Sequence, residues 1–445
     1  MRRKVQEMKI EKNNNFANQN SIEVIEERKI RREKKGYSKS DRAITLIALV
    51  LTIIVLLILA GVTINSVVGT GGVIKKSKVS LNEYKKESDE EEKSIKNLEN
   101  VIDENANEKK YLKSGEYATN TDMYYDGTSL AVIPAGFTVS GMASENKISS
   151  GLVIYKGDLS KANWQTGKDA SKNDIKRTYN QYVWIPSTEE EYKRTEWSVE
   201  PDNGSRAFKD ETTLGSVTLS DYDNGKGITT DILNEIVNQI LSEKNSVKKY
   251  GGFYIGRYEV GKGNVITQYK EPSASLQWSA AYTNAKNIDV GSASVSYLSS
   301  SYAIDTALNF IQTNSEFKTY ALTRDKGSNG TDINENWQDK SVKYTDANGD
   351  LQTKAAETAT MLPTGVTTAK CNIYDMGGNV AEYTTELNPT EGNNDATVVL
   401  RGGDYGSTIW GPMIGYSKRP AGERWDDDSG ADDSIKGFRT TLFIQ

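Results

Sequence analysis

The chain has 445 residues, a formal net charge of −6, one cysteine and no histidine. A single cysteine excludes an internal disulfide. Without histidine there is no Ser-His-Asp or Cys-His catalysis, no histidine-ligated zinc and no histidine general base. The acidic balance, with no basic aromatic-studded face beyond the N-terminal stretch, argues against a nucleic-acid partner.

Residues 1–43 form a basic leader. Residues 1–42 hold thirteen Lys/Arg against seven Asp/Glu, a net of +6 that leaves −12 for the rest of the chain. From Ala43 to Ile64 no charge occurs, and Leu, Ile, Val, Ala and Thr fill nearly every position. A bilayer core is spanned by about 20 helical residues, so a transmembrane helix is expected over 44–68. Positive flanks stay in the cytoplasm. The N-terminus is therefore expected inside the cell membrane and the acidic C-terminal part outside, as a single-pass protein. Lys75, Lys76 and Lys78 weaken this bias without reversing it. The run is too long for the apolar region of a cleavable secretory signal, about 7–15 residues, and no A-x-A site follows it cleanly.

The stretch ITLIALVLTIIVLLILAGVTI, placed behind basic residues, resembles the N-terminus of type IV pilins and pilin-like proteins of Gram-positive bacteria. The resemblance implies cleavage by a prepilin peptidase after Ala43, with Ile44 as the first mature residue, and other pilin subunits as partners. Two positions depart from the family. Ala43 stands where the family has Gly, with Gly36 an alternative cut further upstream. Ala48 stands where the family has the Glu that pairs with a neighbour's terminal amine, which weakens the expectation of filament assembly but not of membrane insertion. A plain signal-anchor helix is the alternative.

Residues 69–110 are expected to form a charged helical stalk or, equally, a flexible linker. Leu98, Val101 and Ile102 have helical spacing, and KKESDEEEKSIK over 85–96 reads as a solvated face.

From residue 111 the texture changes to short strands and turns. A small β-rich region is expected over 111–179 and a larger domain over 180–445. IPAGFTVSGMA (133–143), GLVIYKGD (151–158), NQYVWIPS (180–187) and KYGGFYIGRYEVGKG (249–263) read as strands bounded by turn residues. ILNEIVNQILSE (232–243), WSAAYTNAKN (278–287) and YAIDTALNFIQT (302–313) read as helices, and 324–350 as an Asn/Asp/Gly-rich loop. The mixture argues an α+β fold.

YVWIPS, FYIGRYEV, the helix with Trp278 and Ala285, LPTG, NIYDMGGNVAEYT, LRGGDY and GFR occur in the order seen in the formylglycine-generating (sulfatase-modifying factor) family, and the chain resembles it over about 180–445. The resemblance implies a variant of the C-type lectin fold. True enzymes of the family bind copper with two cysteines near the C-terminus. The matching region, Gly411 to Gly437, has none, so neither copper nor formylglycine-type oxidoreductase chemistry is expected and the protein is not expected to be an enzyme. Cys371, outside that region, reads as a small buried residue.

In the same fold some bacterial and phage proteins use the segment between LRGG and GFR as a hypervariable recognition surface. Here the expected ligand-binding residues are Asp404, Tyr405, Trp410, Met413, Tyr416, Arg419, Arg424 and Trp425, since Trp, Tyr and Arg anchor interfaces. Packing in the domain's own core is the alternative for each aromatic. The family also implies structural calcium, with Glu382 giving a carboxylate and Gly378 and Val380 backbone carbonyls, oxygen ligands that suit this ion. Pairing of Glu382 with Arg401 or Arg439 is the alternative. Asp346, Asn348, Asp350 and Glu357 have EF-hand-like spacing, but Leu351 takes the place of the required glycine and NGD is an ordinary hairpin turn. The acidic run Asp426-Asp427-Asp428, with Asp432 and Asp433, reads as a solvated loop. The expected function is display of a non-catalytic lectin-fold domain that recognises a surface protein or glycan in adhesion. A structural minor pilin or pseudopilin is the alternative.

Overall fold

The computed structural model describes residues 111–197, 208–217, 228–323, 334–388, 397–406, 419–427 and 433–445. The expected leader, membrane helix and stalk, with Ala43 and Ile44, lie outside the described residues. Among the described residues no helix is long and apolar enough to cross a membrane.

The architecture of the unit Lys109–Gln445 is α+β. Its centre is a six-stranded antiparallel sheet of β3 (Phe137–Val139), β4 (Val153–Lys156), β5 (Gln181–Pro186), β6 (Gly252–Gly256), β14 (Thr440–Ile444) and β7 (Ser294–Leu298), in that spatial order. β3 and β4 come from the 111–179 segment, which is thus built into the same sheet as the strands after 180. Both faces of the sheet are covered, so its central strands read as continuous apolar runs rather than alternating ones. Ile154, Tyr182, Trp184, Tyr254, Leu442 and Ile444 enter one core. Their neighbours in sequence, Val153, Tyr155, Val183, Ile185, Phe253, Ile255 and Phe443, enter the other. Period-two side-chain alternation makes this division inevitable once both faces are buried.

Three helices pack on the sheet: α1 (Thr230–Tyr250), α2 (Trp278–Lys286) and α3 (Ser301–Thr313). α1 is longer than the expected 232–243. Its apolar stripe continues through Ile240 to Val247, and Gly251 closes it at φ +74 with its N–H on Val247 O, a left-handed cap that favours glycine. The strand expected from 249 therefore starts only at Gly252. The side chain of Thr229 caps the N-terminus by accepting from Ile232 N. Ser300 caps α3 in the same way, through Ala303 N.

Two hairpins stand apart from the main sheet, β1 (Asp122–Tyr125) with β2 (Leu130–Ile133), and β8 (Val342–Thr345) with β9 (Leu351–Lys354). The second contains Asp346, Asn348 and Asp350 of the EF-hand-like set, while Glu357 follows β9. Asp346 Oδ1 accepts from the backbones of Asn348 and Asp350 at 2.8 and 3.0 Å, which makes the segment a hairpin turn.

A second sheet has the order β12 (Arg424–Asp426), β11 (Thr397–Arg401), β10 (Ala381–Asn388), β13 (Lys436–Phe438). β10 and β13 are parallel and the other pairs antiparallel.

Gly151 marks where the N-terminal strands meet the C-terminal half. It has φ +89, and a Cβ there would lie 1.9 Å from Cys371 O. Both the backbone conformation and the contact exclude a side chain. We expect Gly151→Ala to lower the unfolding free energy by about 1–3 kcal/mol or more, read by urea titration. An unchanged midpoint would mean that this junction is not close-packed.

Candidate functional site

The segment expected to face a ligand, 404–433, begins just after β11 and contains the strand β12. Arg401, the last residue of β11, pairs in register with Arg424, the first of β12. The chain thus leaves β11 and enters β12 at one point of the sheet, and residues 407–418 between them lie outside the described residues.

Beneath that point lies a buried charge cluster. Glu386 on β10 accepts from Arg424 Nε at 2.6 Å and Arg194 Nη2 at 3.2 Å through Oε1, and from Arg401 Nη1 at 3.0 Å through Oε2. Asp305 on α3 accepts from Arg424 Nη2 at 2.5 Å and from Arg401 Nη2. The same carboxylate takes Thr195 N and Trp197 Nε1, each at 2.9 Å. Arg424 Nη1 donates to Thr195 O at 3.0 Å. Planar guanidinium forks match two carboxylates at once, which suits Arg and not Lys. Burial works against a charged Glu386, but Arg424, Arg401 and Arg194 hold it down at about 2.

The start of the loop rests on the GGNVAE turn. Gly403 N donates to Gly377 O at 3.0 Å and Tyr405 N to Asn379 O at 2.8 Å. At Gly402, φ +69, a Cβ would lie 2.5 Å from Met376 O. The turn is itself anchored by Glu259, which accepts from Val380 N at 2.9 Å and Asn379 Nδ2 at 2.7 Å.

The expected ligand-binding residues separate into groups. Trp410, Met413 and Tyr416 lie outside the described residues. Asp404 and Tyr405 are buried. Asp404 Oδ1 accepts from Gly406 N at 2.7 Å, and Tyr405 packs with Val380 and Ile435. Arg424 is enclosed by its ion pairs, its side chain 4 % exposed, so it holds the loop's base rather than its outer face. Arg419 and Trp425 are half-buried. The Arg419 guanidinium lies 4.0 Å over the Trp425 ring, and Trp425 Nε1 donates to Gly402 O at 2.8 Å. These two join the rim to the base.

Among the expected calcium ligands, Glu382 Oε1 accepts from Arg439 Nε at 2.8 Å and lies 2.6 Å from Arg439 Nη2. Arg439 thus already gives this carboxylate a cation. Gly378 lies against the Asn336 backbone. Among the described residues no three or more Asp, Glu or Cys converge as a metal cluster. Cys371 is buried, and burial pushes its thiol up to about 11.

Asp305, Glu386 and Arg194 were not singled out from the sequence. A signal existed for Asp305, a charge within the apolar helix YAIDTALNFIQT.

No family model matches the chain, and no curated protein does. Two solved structures show a low similarity to it. The crystal structure of CarF is 13 % identical, over 44 % of this chain and 87 % of that one, with a TM-score of 0.25. Treponema denticola variable protein 1 is 14 % identical, over 73 % of this chain and 99 % of that one, with a TM-score of 0.20. Scores this low carry no argument about this chain.

Proposed function

We propose that this is a membrane-anchored, pilin-like surface protein whose α+β domain is a formylglycine-enzyme-like, C-type-lectin-type module without catalytic activity. Its work is recognition of a surface protein or glycan by the segment Gly402–Glu423. The observation that supports this reading most is the clamped base: Arg401 and Arg424, opposite each other across two strands, share Asp305 and Glu386. A scaffold that fixes both ends of a segment leaves the sequence between them free to serve binding. Trp, Tyr and Arg in this loop supply the anchoring side chains that interfaces use.

The test is binding of the unit Lys109–Gln445 to bacterial surfaces and a glycan panel, with calcium and with chelator. A Trp410→Ala/Trp425→Ala variant with parental circular dichroism is expected to lose at least tenfold in affinity, the scale of an anchor worth more than about 1.4 kcal/mol. Equal binding by the folded variant would remove the loop from the site. No binding by the parent under either condition would remove the recognition reading, and binding only in calcium would show that the ion contributes.

A further inference from the structure

We propose that Lys370 and Glu335 are joined by an intramolecular amide. Both side chains are buried, 1 % and 0 % exposed, and Lys370 Nζ lies 2.6 Å from Glu335 Oε1. Tyr320 Oη donates to that same oxygen at 2.7 Å. The other oxygen, Oε2, is buried and finds no hydrogen-bond partner among the described residues. Among the described residues, one oxygen of this carboxyl is thus doubly held and the other is not held.

Condensation resolves this asymmetry. The ammonium of Lys370 gives one proton to Oε2, and the freed amine lone pair attacks Cδ. The N–Cδ bond forms and the Cδ–Oε2 bond breaks. A second amine proton leaves with that hydroxyl, so the only by-product is water, and nothing is oxidised or reduced. Oε1 stays as the amide oxygen and still accepts from Tyr320. The step removes two charges from a buried site where each is costly to keep. The contact also places the amine near the 3–3.5 Å or so from Cδ that a near-attack arrangement requires. Tyr320, donating to Oε1, sits where negative charge develops as the amine adds.

The surroundings fit proton traffic and a fixed geometry. Burial and the Glu335 charge push Asp375 up to about 7, so a second carboxyl that can lend a proton stands close by. Cys371, Asn372 and Asp375 all have positive φ, at 48°, 62° and 57°. This backbone is sparsely populated by such residues and is held only where the surroundings impose it. Trp337 and Tyr320 wall the same site from the side of Gly377.

The inference is independent of the recognition reading. The full chain is denatured and digested, and its peptides are weighed. The expected result is a branched peptide joining Lys370 to Glu335, about 18 Da lighter than its two parts and missing from Lys370→Arg. Recovery of Lys370 and Glu335 only in separate peptides of full mass from the folded parent overturns the proposal, as does loss of water mapped to another pair. Tyr320→Phe, shown folded by circular dichroism, is expected to form the branched peptide about 100-fold more slowly in a time course after synthesis. Linkage at the parental rate overturns the role given to Tyr320.

Discussion

Replacing Glu386 by alanine is expected to remove about 3–5 kcal/mol of stability, the range for breaking a buried ion pair by deleting one partner. The deleted carboxylate serves three guanidiniums, those of Arg424, Arg401 and Arg194. Arg401 and Arg424 keep Asp305, but two cations then share one carboxylate in a buried site. The loss should appear as a shift of the urea midpoint of the Lys109–Gln445 unit. Under the proposed recognition role, binding should fall with it, since the two ends of the segment are no longer drawn together. A midpoint within about 0.5 kcal/mol of the parent, the scale of an ordinary surface substitution, would mean that the strand pairing alone holds the base. The same carboxylate predicts an acid limb. Its folded value, about 2, is below the usual 4.5. Its contribution is therefore complete above about 4.5 and is lost as pH falls towards 2. Glu145, held at about 2 by Arg257 and Lys176 against the effect of burial, adds to the same limb.

The second large effect has the opposite sign. Glu243 is buried on α1 and accepts from Tyr192 Oη at 2.7 Å, Ser300 Oγ at 2.7 Å and Gln239 Nε2 at 2.8 Å. None of these three partners is a cation, and burial pushes its carboxyl up to about 7. Burial and the Glu386 charge also push Glu211 up to about 7. A folded value above the unfolded 4.5 means that the folded state binds the proton more tightly. Stability is then complete below about 4.5 and declines as pH rises to about 7, by about 1.4 kcal/mol per pH unit for each group. The expected profile therefore peaks near pH 5. Glu243→Gln should flatten the descending limb by about 3 kcal/mol and should be more stable than the parent at pH 8. Parallel profiles for parent and variant would show that Glu243 does not carry the limb.

These two carboxyls show what composition could not reveal. Glu243 and Glu386 each share their stretch, ILNEIVNQILSE and AEYTTELN, with a second glutamate, and nothing in it sets them apart. One ends among three guanidiniums and titrates low. The other ends among hydroxyls and an amide and titrates high. Neither outcome is encoded in its neighbours along the chain.

The local rules worked where structure is local. YAIDTALNFIQT and WSAAYTNAKN form helices nearly where their apolar spacing placed them, and NQYVWIPS forms the central strand β5. Hydrophobic period and capping residues act over a few positions and can be read there. The extension of α1 to Tyr250 is not legible in the sequence because its last turns bury only Ser246 and Val247, with lysines between them and the Gly251 cap.

The sequence by itself determined the α+β class, the main helices and strands, the isolated thiol and the aromatic-rich segment after LRGG. It also sets the reading of the N-terminal apolar run, which lies outside the described residues. Tertiary structure alone decided the pairings. Glu382 takes Arg439 because β10 and β13 run parallel side by side, with Glu382 opposite Gly437. Arg401 faces Arg424 across β11 and β12, and both turn to Asp305 and Glu386. That placement made Arg424 a support and left Arg419 and Trp425 at the rim. The physical reason is range: periodicity and capping act within one element, whereas a buried charge finds its partner only when distant elements pack and exclude water.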